Sequence, residues 1–133
     1  MKQLLFLLFL FLSLASFTQR VSSTHYYYFK SSSEKLNKYE EKKLQLLCDT
    51  LFKQKVISVQ ITGHTDDSGD EHTNMKLSEE RAKNIKASMI LYGVPEEKIS
   101  LLFMGENNPA ETNETEKGKA ANRRAEVNVV WEE

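Results

Sequence analysis

The chain has 133 residues, enough for one compact domain and too few for two. Thirteen of the first twenty are hydrophobic, with four of the seven Phe among them (Phe6, Phe9, Phe11, Phe17), so the remainder is leaner than the overall 40% suggests. From residue 21 onward 16 Lys and Arg face 19 Asp and Glu. That mildly acidic balance has no basic stripe and excludes nucleic acid as a natural partner, since phosphate neutralisation supplies much of that affinity.

The first element in chain order is a leader. Lys2 is the only charge before Arg20, and the apolar run Leu4 to Leu12 is extended by Ser13, Leu14 and Ala15. A helix that crosses a membrane needs about 20 apolar residues, and this run falls well short. A basic start, an apolar middle and the small residues Ala15, Ser16, Ser22 and Ser23 make a secretory signal peptide over about residues 1–20. Residues 25–133 are then expected to form one exported domain, with no transmembrane anchor in the mature chain. Cys48 is the only cysteine, so no internal disulfide forms, and it lies too far past the leader to carry a lipid. Between Leu46-Leu47 and a polar stretch it reads as a buried thiol on a helix face.

Tyr26-Tyr27-Tyr28-Phe29-Lys30 is aromatic and predicts a first strand. Asn37 followed by Glu40 resembles a capping box, and Leu44, Leu47, Cys48 and Leu51 at helical spacing predict a helix over about 38–54. From Val56 the period changes to two: Ile57, Val59 and Ile61 alternate with Ser58, Gln60 and Thr62, a strand buried on one face and ending at Gly63. His64 to Lys76 is polar and acidic around Gly69 and predicts a loop. Ser78 is expected as the N-cap of a second helix, with Ala82, Ile85 and Met89 buried and Gly93 closing it. A short turn at Pro95-Glu96-Glu97, a third strand at about 99–104, another short turn within 115–121 and a last strand at about 124–131 complete the chain. The order β-α-β-α-β-β implies an α+β, two-layer sandwich in which a mixed four-stranded sheet carries its helices on one face.

The chemistry concentrates between Gly63 and Ala82. Asp66 leaves a strand and Arg81 is expected in the first turn of the following helix, so that closure of the loop brings an anion and a cation into one cleft. Two readings stand side by side. Either the two residues form a salt bridge that holds the loop, which is worth little when exposed, or they flank a ligand carrying an ammonium and a carboxylate together, since Arg forks onto a carboxylate and Asp accepts from an ammonium. His64, Asp66, Asp67, Asp70, Glu71 and His72 gather imidazole and carboxylates, but with no HExxH, paired-cysteine or EF-hand spacing. No metal or other cofactor is therefore expected. No nucleophile–base spacing, Gly-x-Ser-x-Gly elbow or Gly-rich phosphate loop is present either, which favours a binding module over an enzyme.

A wider pattern runs through the chain: Gly63-His64-Thr65-Asp66, Gly69, Asn74, Leu77-Ser78, Arg81-Ala82, Gly93-Val94, Gly105-Glu106, Pro109, Asn113 and Asn122-Arg123-Arg124. In order and spacing it resembles the OmpA-like peptidoglycan-binding domain, over essentially all of residues 25 to 131. The resemblance implies the fold just described and binding to the peptide stem of the cell wall, with the Asp and Arg positions matched by Asp66 and Arg81 gripping the amino and carboxylate ends of diaminopimelate. Thr65, Asn74 and Leu77 match positions that shape the same pocket. Arg123 and Arg124 match arginines that are partly structural and add positive charge near the ligand. One departure is plain: the family's first strand continues from its Phe into an acidic residue, whereas Phe29 is followed by Lys30-Ser31-Ser32, and Lys30 would oppose an ammonium.

The function expected on these grounds is an exported, non-catalytic module binding peptidoglycan in the periplasm, outer-membrane-associated through an envelope protein partner that anchors it. The competing expectation is a periplasmic protein-interaction adaptor that keeps the fold without wall binding.

Overall fold

The structure is a computed structural model and describes residues 18–133. The leader expected over residues 1–20 lies, but for its last three residues, outside them. In chain order the elements are β1 (Arg20–Tyr28), α1 (Lys38–Leu51), β2 (Lys55–Gly63), α2 (Glu71–Leu91), a short 3-10 turn (Glu96–Lys98), β3 (Ile99–Phe103), α3 (Glu116–Asn122) and β4 (Arg124–Glu132). The four strands form one mixed sheet in the order β1-β4-β2-β3. The last strand enters the middle of the sheet, antiparallel to both β1 and β2, while β2 and β3 run parallel. This is the expected α+β arrangement, with a true third helix where only a turn was predicted.

Period-2 patterning explains the inner face. Tyr27 of β1, Val59 and Ile61 of β2, and Ala125, Val127 and Val129 of β4 are buried together with Leu44, Cys48 and Leu51 of α1 and Ala82, Ile85 and Met89 of α2. At about 25 cal/mol per Å² of apolar surface, burial of these side chains is the main force holding helices to sheet. Ile57 falls outside the predicted alternation. The pairing of β2 with β4 skips from Val56 to Ser58, so Ile57 is the extra residue of a bulge and Val56 takes the inward position.

The helices start and stop for local reasons. The Asn37 side chain accepts from the Glu40 backbone N–H at 3.0 Å, so α1 has its cap. The Glu40 carboxylate turns to Lys43 at 2.9 Å, leaving the expected reciprocal half of the box unmade. At the far end of α2, Gly93 has φ +96° and the Gly93 and Val94 N–H groups bond to the Ile90 and Met89 carbonyls, a Schellman closure as predicted.

The start of α2 differs from expectation. The helix begins at Glu71, and its N-cap is Asp70, which accepts from Thr73 N–H at 2.9 Å and from the Thr73 hydroxyl at 2.6 Å. Ser78 is therefore not a cap. It is fully buried mid-helix, donates to the Met75 carbonyl at 2.7 Å and accepts from Gly105 N–H at 3.0 Å, tying α2 to the loop after β3. Gly63 lets this happen: a Cβ there would sit 1.9 Å from the Ser78 carbonyl oxygen, so only glycine allows β2 to end directly against α2.

Candidate functional site

The end of β2, the first two turns of α2 and the segment after β1 enclose a cavity of about 350 Å³ lined by Ser31, Ser32, Asp66, Ser68, Gly69, Thr73, Asn74, Leu77, Arg81 and Arg123. Five of the seven residues singled out from the sequence, Asp66, Asn74, Leu77, Arg81 and Arg123, meet there. Asn74 and Leu77 do so because the first two turns of α2 face the cavity rather than the core, which is also why that stretch lacks an apolar stripe. The Asn74 amide nitrogen donates to Glu106, so its orientation is set from behind.

Arg81 sits in the third turn of α2, not in the first, and is completely buried. Its Nε donates to Ser33 O at 2.8 Å, Nη1 to His64 O at 2.8 Å and Nη2 to Lys30 O at 3.2 Å, while the guanidinium lies 4.8 Å from the centroid of the Phe29 ring. Two chain segments, the turn at residues 30–33 and the end of β2, are thus fastened to one side chain, by neutral carbonyls that do not cancel its charge. Burial lowers its pKa to about 10, an effect opposed by the nearby Asp66, so it remains a cation at neutral pH.

Asp66 and Arg81 share the cavity wall without forming a salt bridge. The ionic partner of Asp66 is Arg123, whose Nη1 donates to Oδ2 at 3.0 Å, and Oδ1 accepts from Ser68 N–H at 3.0 Å. Burial would raise the Asp66 carboxyl, but the hydrogen bonds from Arg123 and Ser68 outweigh it and hold it below the usual range. Arg123 also donates through Nε to Phe29 O at 3.2 Å, so the end of β1 and the start of β4 brace the acid jointly.

The two remaining residues lie elsewhere. Thr65 is buried behind the cavity; its N–H bonds to Gly105 O at 2.8 Å and its hydroxyl has no partner. Arg124 points to the opposite side of the sheet from its neighbour Arg123. There it donates to Glu126 Oε1 from Nε at 2.9 Å and from Nη2 at 2.7 Å, beside Tyr26 and Tyr28. His64 is buried next to this pair with Nε2 3.5 Å from Glu126. Burial and the Arg124 charge lower its pKa to about 4 against the pull of Glu126, so at neutral pH it is uncharged.

Ser31 and Ser32 were not singled out as contacts, and both line the cavity. Ser32 has φ +55°, the left-handed region, which makes the turn that brings them there. Lys30 is exposed, contributes its carbonyl to Arg81 and does not line the cavity. Cys48 is buried as expected, its thiol pushed up to about 12 by burial and by Asp49 and Glu41. Among the described residues no three His, Cys, Asp or Glu side chains are placed to hold a metal ion, and no helix is long and apolar enough to cross a membrane.

The chain is similar to proteins of known kind. The chain is 36% identical over 101 residues to outer membrane porin F of Pseudomonas fluorescens, covering 76% of this chain and 30% of that protein. It is 39% identical over 71 residues to the peptidoglycan-binding protein ArfA of Mycobacterium tuberculosis, covering 53% of this chain and 22% of ArfA. The chain thus spans less than a third of either relative. In fold it resembles the OmpA-like domain of FopA1 from Francisella tularensis, with a TM-score of 0.72 at 23% identity, covering 84% of this chain and 73% of that one. Residues 28–123 match the OmpA family, and with the sheet order and the cavity at the end of β2 in place, the chain belongs to that family.

Proposed function

We propose that the chain is an exported, non-catalytic module that binds peptidoglycan non-covalently through the diaminopimelate of the stem peptide. The observation that carries this reading is Arg81: a fully buried cation on the wall of an open cavity, held by three carbonyls and beside the Asp66 carboxylate. A buried charge calls for a counter-charge, and a ligand that brings a carboxylate to Arg81 and an ammonium to Asp66 meets both groups. The free end of diaminopimelate has that chemistry, and ArfA, to which the chain is similar, is named for peptidoglycan binding. The wall is polar and the ligand one side chain deep, so little apolar surface is buried and the affinity is modest. The module works in the periplasm, joined to the outer membrane through a protein partner.

Co-sedimentation with purified cell-wall sacculi tests this with Asp66→Asn and Arg81→Lys. Lysine is chosen because Arg81→Ala would strand three carbonyls and confuse unfolding with lost binding. With both variants shown folded by circular dichroism, Arg81→Lys should pellet far less than wild type and Asp66→Asn measurably less; undiminished pelleting of both would overturn the pocket assignment. If a diaminopimelate-containing peptide leaves the amide signals of Asp66 and Arg81 unmoved, the adaptor reading takes its place.

A further inference from the structure

We propose that the cavity reads the carboxylate of its ligand ahead of the ammonium, so that an amine-free dicarboxylate is bound and a carboxyl-blocked diamine is not. The proposal takes the cavity to be the ligand site, as above, and goes further by ranking the two ends of the ligand. Three observations support it.

The first is charge. Two guanidinium groups, Arg81 and Arg123, line the cavity against one carboxylate, Asp66. Glu106 is held behind Asn74 and does not line it, and Glu34 lines the neighbouring shallow groove. The residues lining the cavity therefore carry one net positive charge, and in a partly dry site that imbalance weighs more than it would in water.

The second is hydrogen-bond capacity. A guanidinium has five N–H donors. Arg81 gives three to backbone carbonyls, and Arg123 gives one to Phe29 O and one to Asp66. Arg81 keeps two donors and Arg123 three, whereas Asp66, with about four lone-pair sites, keeps two after accepting from Arg123 and Ser68. Donors exceed anionic acceptors, so a ligand that brings oxygens completes the site better than one that brings N–H groups.

The third is the opposite wall. Ser31 and Ser32 line it, and neither carries a charge that would attract an ammonium. Asp66 is left as the only acid for that end, and it is already neutralised by Arg123.

The test is a calorimetric or amide-shift titration with three probes: diaminopimelate, pimelate (the same carbon chain without amines) and the diamide of diaminopimelate. Pimelate should bind within about tenfold of diaminopimelate or tighter, and the diamide at least about 100-fold more weakly. Diamide binding with pimelate rejected would overturn the proposal. Pimelate bound without diaminopimelate would overturn the wall-ligand reading and support this one, and no binding by any probe would overturn both. A second arm uses Ser32→Asp, at an exposed position whose left-handed φ Asp tolerates. It should shift preference toward diaminopimelate over pimelate by about tenfold; an unchanged ratio counts against the proposal.

Discussion

At the scale of single residues, the structure separates side chains that meet the cavity from those that hold it. Asp66 and Arg81 were legible from the sequence because a strand exit and a following helix place them near each other whatever the loop between them does. The Asp66–Arg123 pair was not, since its members lie 57 positions apart and only the insertion of β4 beside β2 unites them. Arg123 and Arg124 look equivalent in sequence, yet alternation along a chain entering a strand sends them to opposite sides. His64 gives a pH prediction from the buried side. Its pKa falls from 6.5 to about 4, so between those values the unfolded chain binds a proton that the folded chain refuses. Stability from this group is complete above pH 6.5 and is lost as pH falls toward 4, by roughly 3 kcal/mol. Urea unfolding at pH 7 and pH 4.5 should show a larger loss for wild type than for His64→Gln; equal losses would reject the assignment.

At the scale of elements, apolar periodicity located β2, β4 and both long helices, because each packs on the core, while aromatic content found only the last three residues of β1. Periodicity missed the first two turns of α2, whose residues face the cavity and so carry polar groups where a core helix would carry leucines. The Asp70–Thr73 cap was the local signal available, and it lay inside a stretch whose acidity suggested a loop. The contact of Gly63 with Ser78 sets how closely α2 packs on the end of β2. Gly63→Ala forces a carbon into a carbonyl that cannot move without shifting the helix, and should destabilise the fold by about 3 kcal/mol or more. Thermal unfolding checks this; a melting temperature equal to wild type would mean that α2 slides freely on β2, and the cavity with it.

At the scale of the whole molecule, the order of the elements indicated a mixed sheet with one covered face, while the strand order lay beyond it, since β4 pairs with strands far away in sequence. The expected domain start at residue 25 also stops short of the sheet, which includes Arg20 to Thr24 opposite Glu132 to Asn128. A chain beginning at His25 gives up those rungs and should lose roughly 2 kcal/mol relative to one beginning at residue 18, using typical cross-strand pair energies. Denaturant titration of the two chains decides the point, and coincident curves would show that the added strand length is idle. Arg81 has a bearing on how relatives of this chain should be read. Because the same guanidinium fastens the chain at residues 30, 33 and 64, a descendant that had abandoned its ligand would still need the arginine to fold. Its presence in a sequence therefore testifies to the architecture as much as to binding.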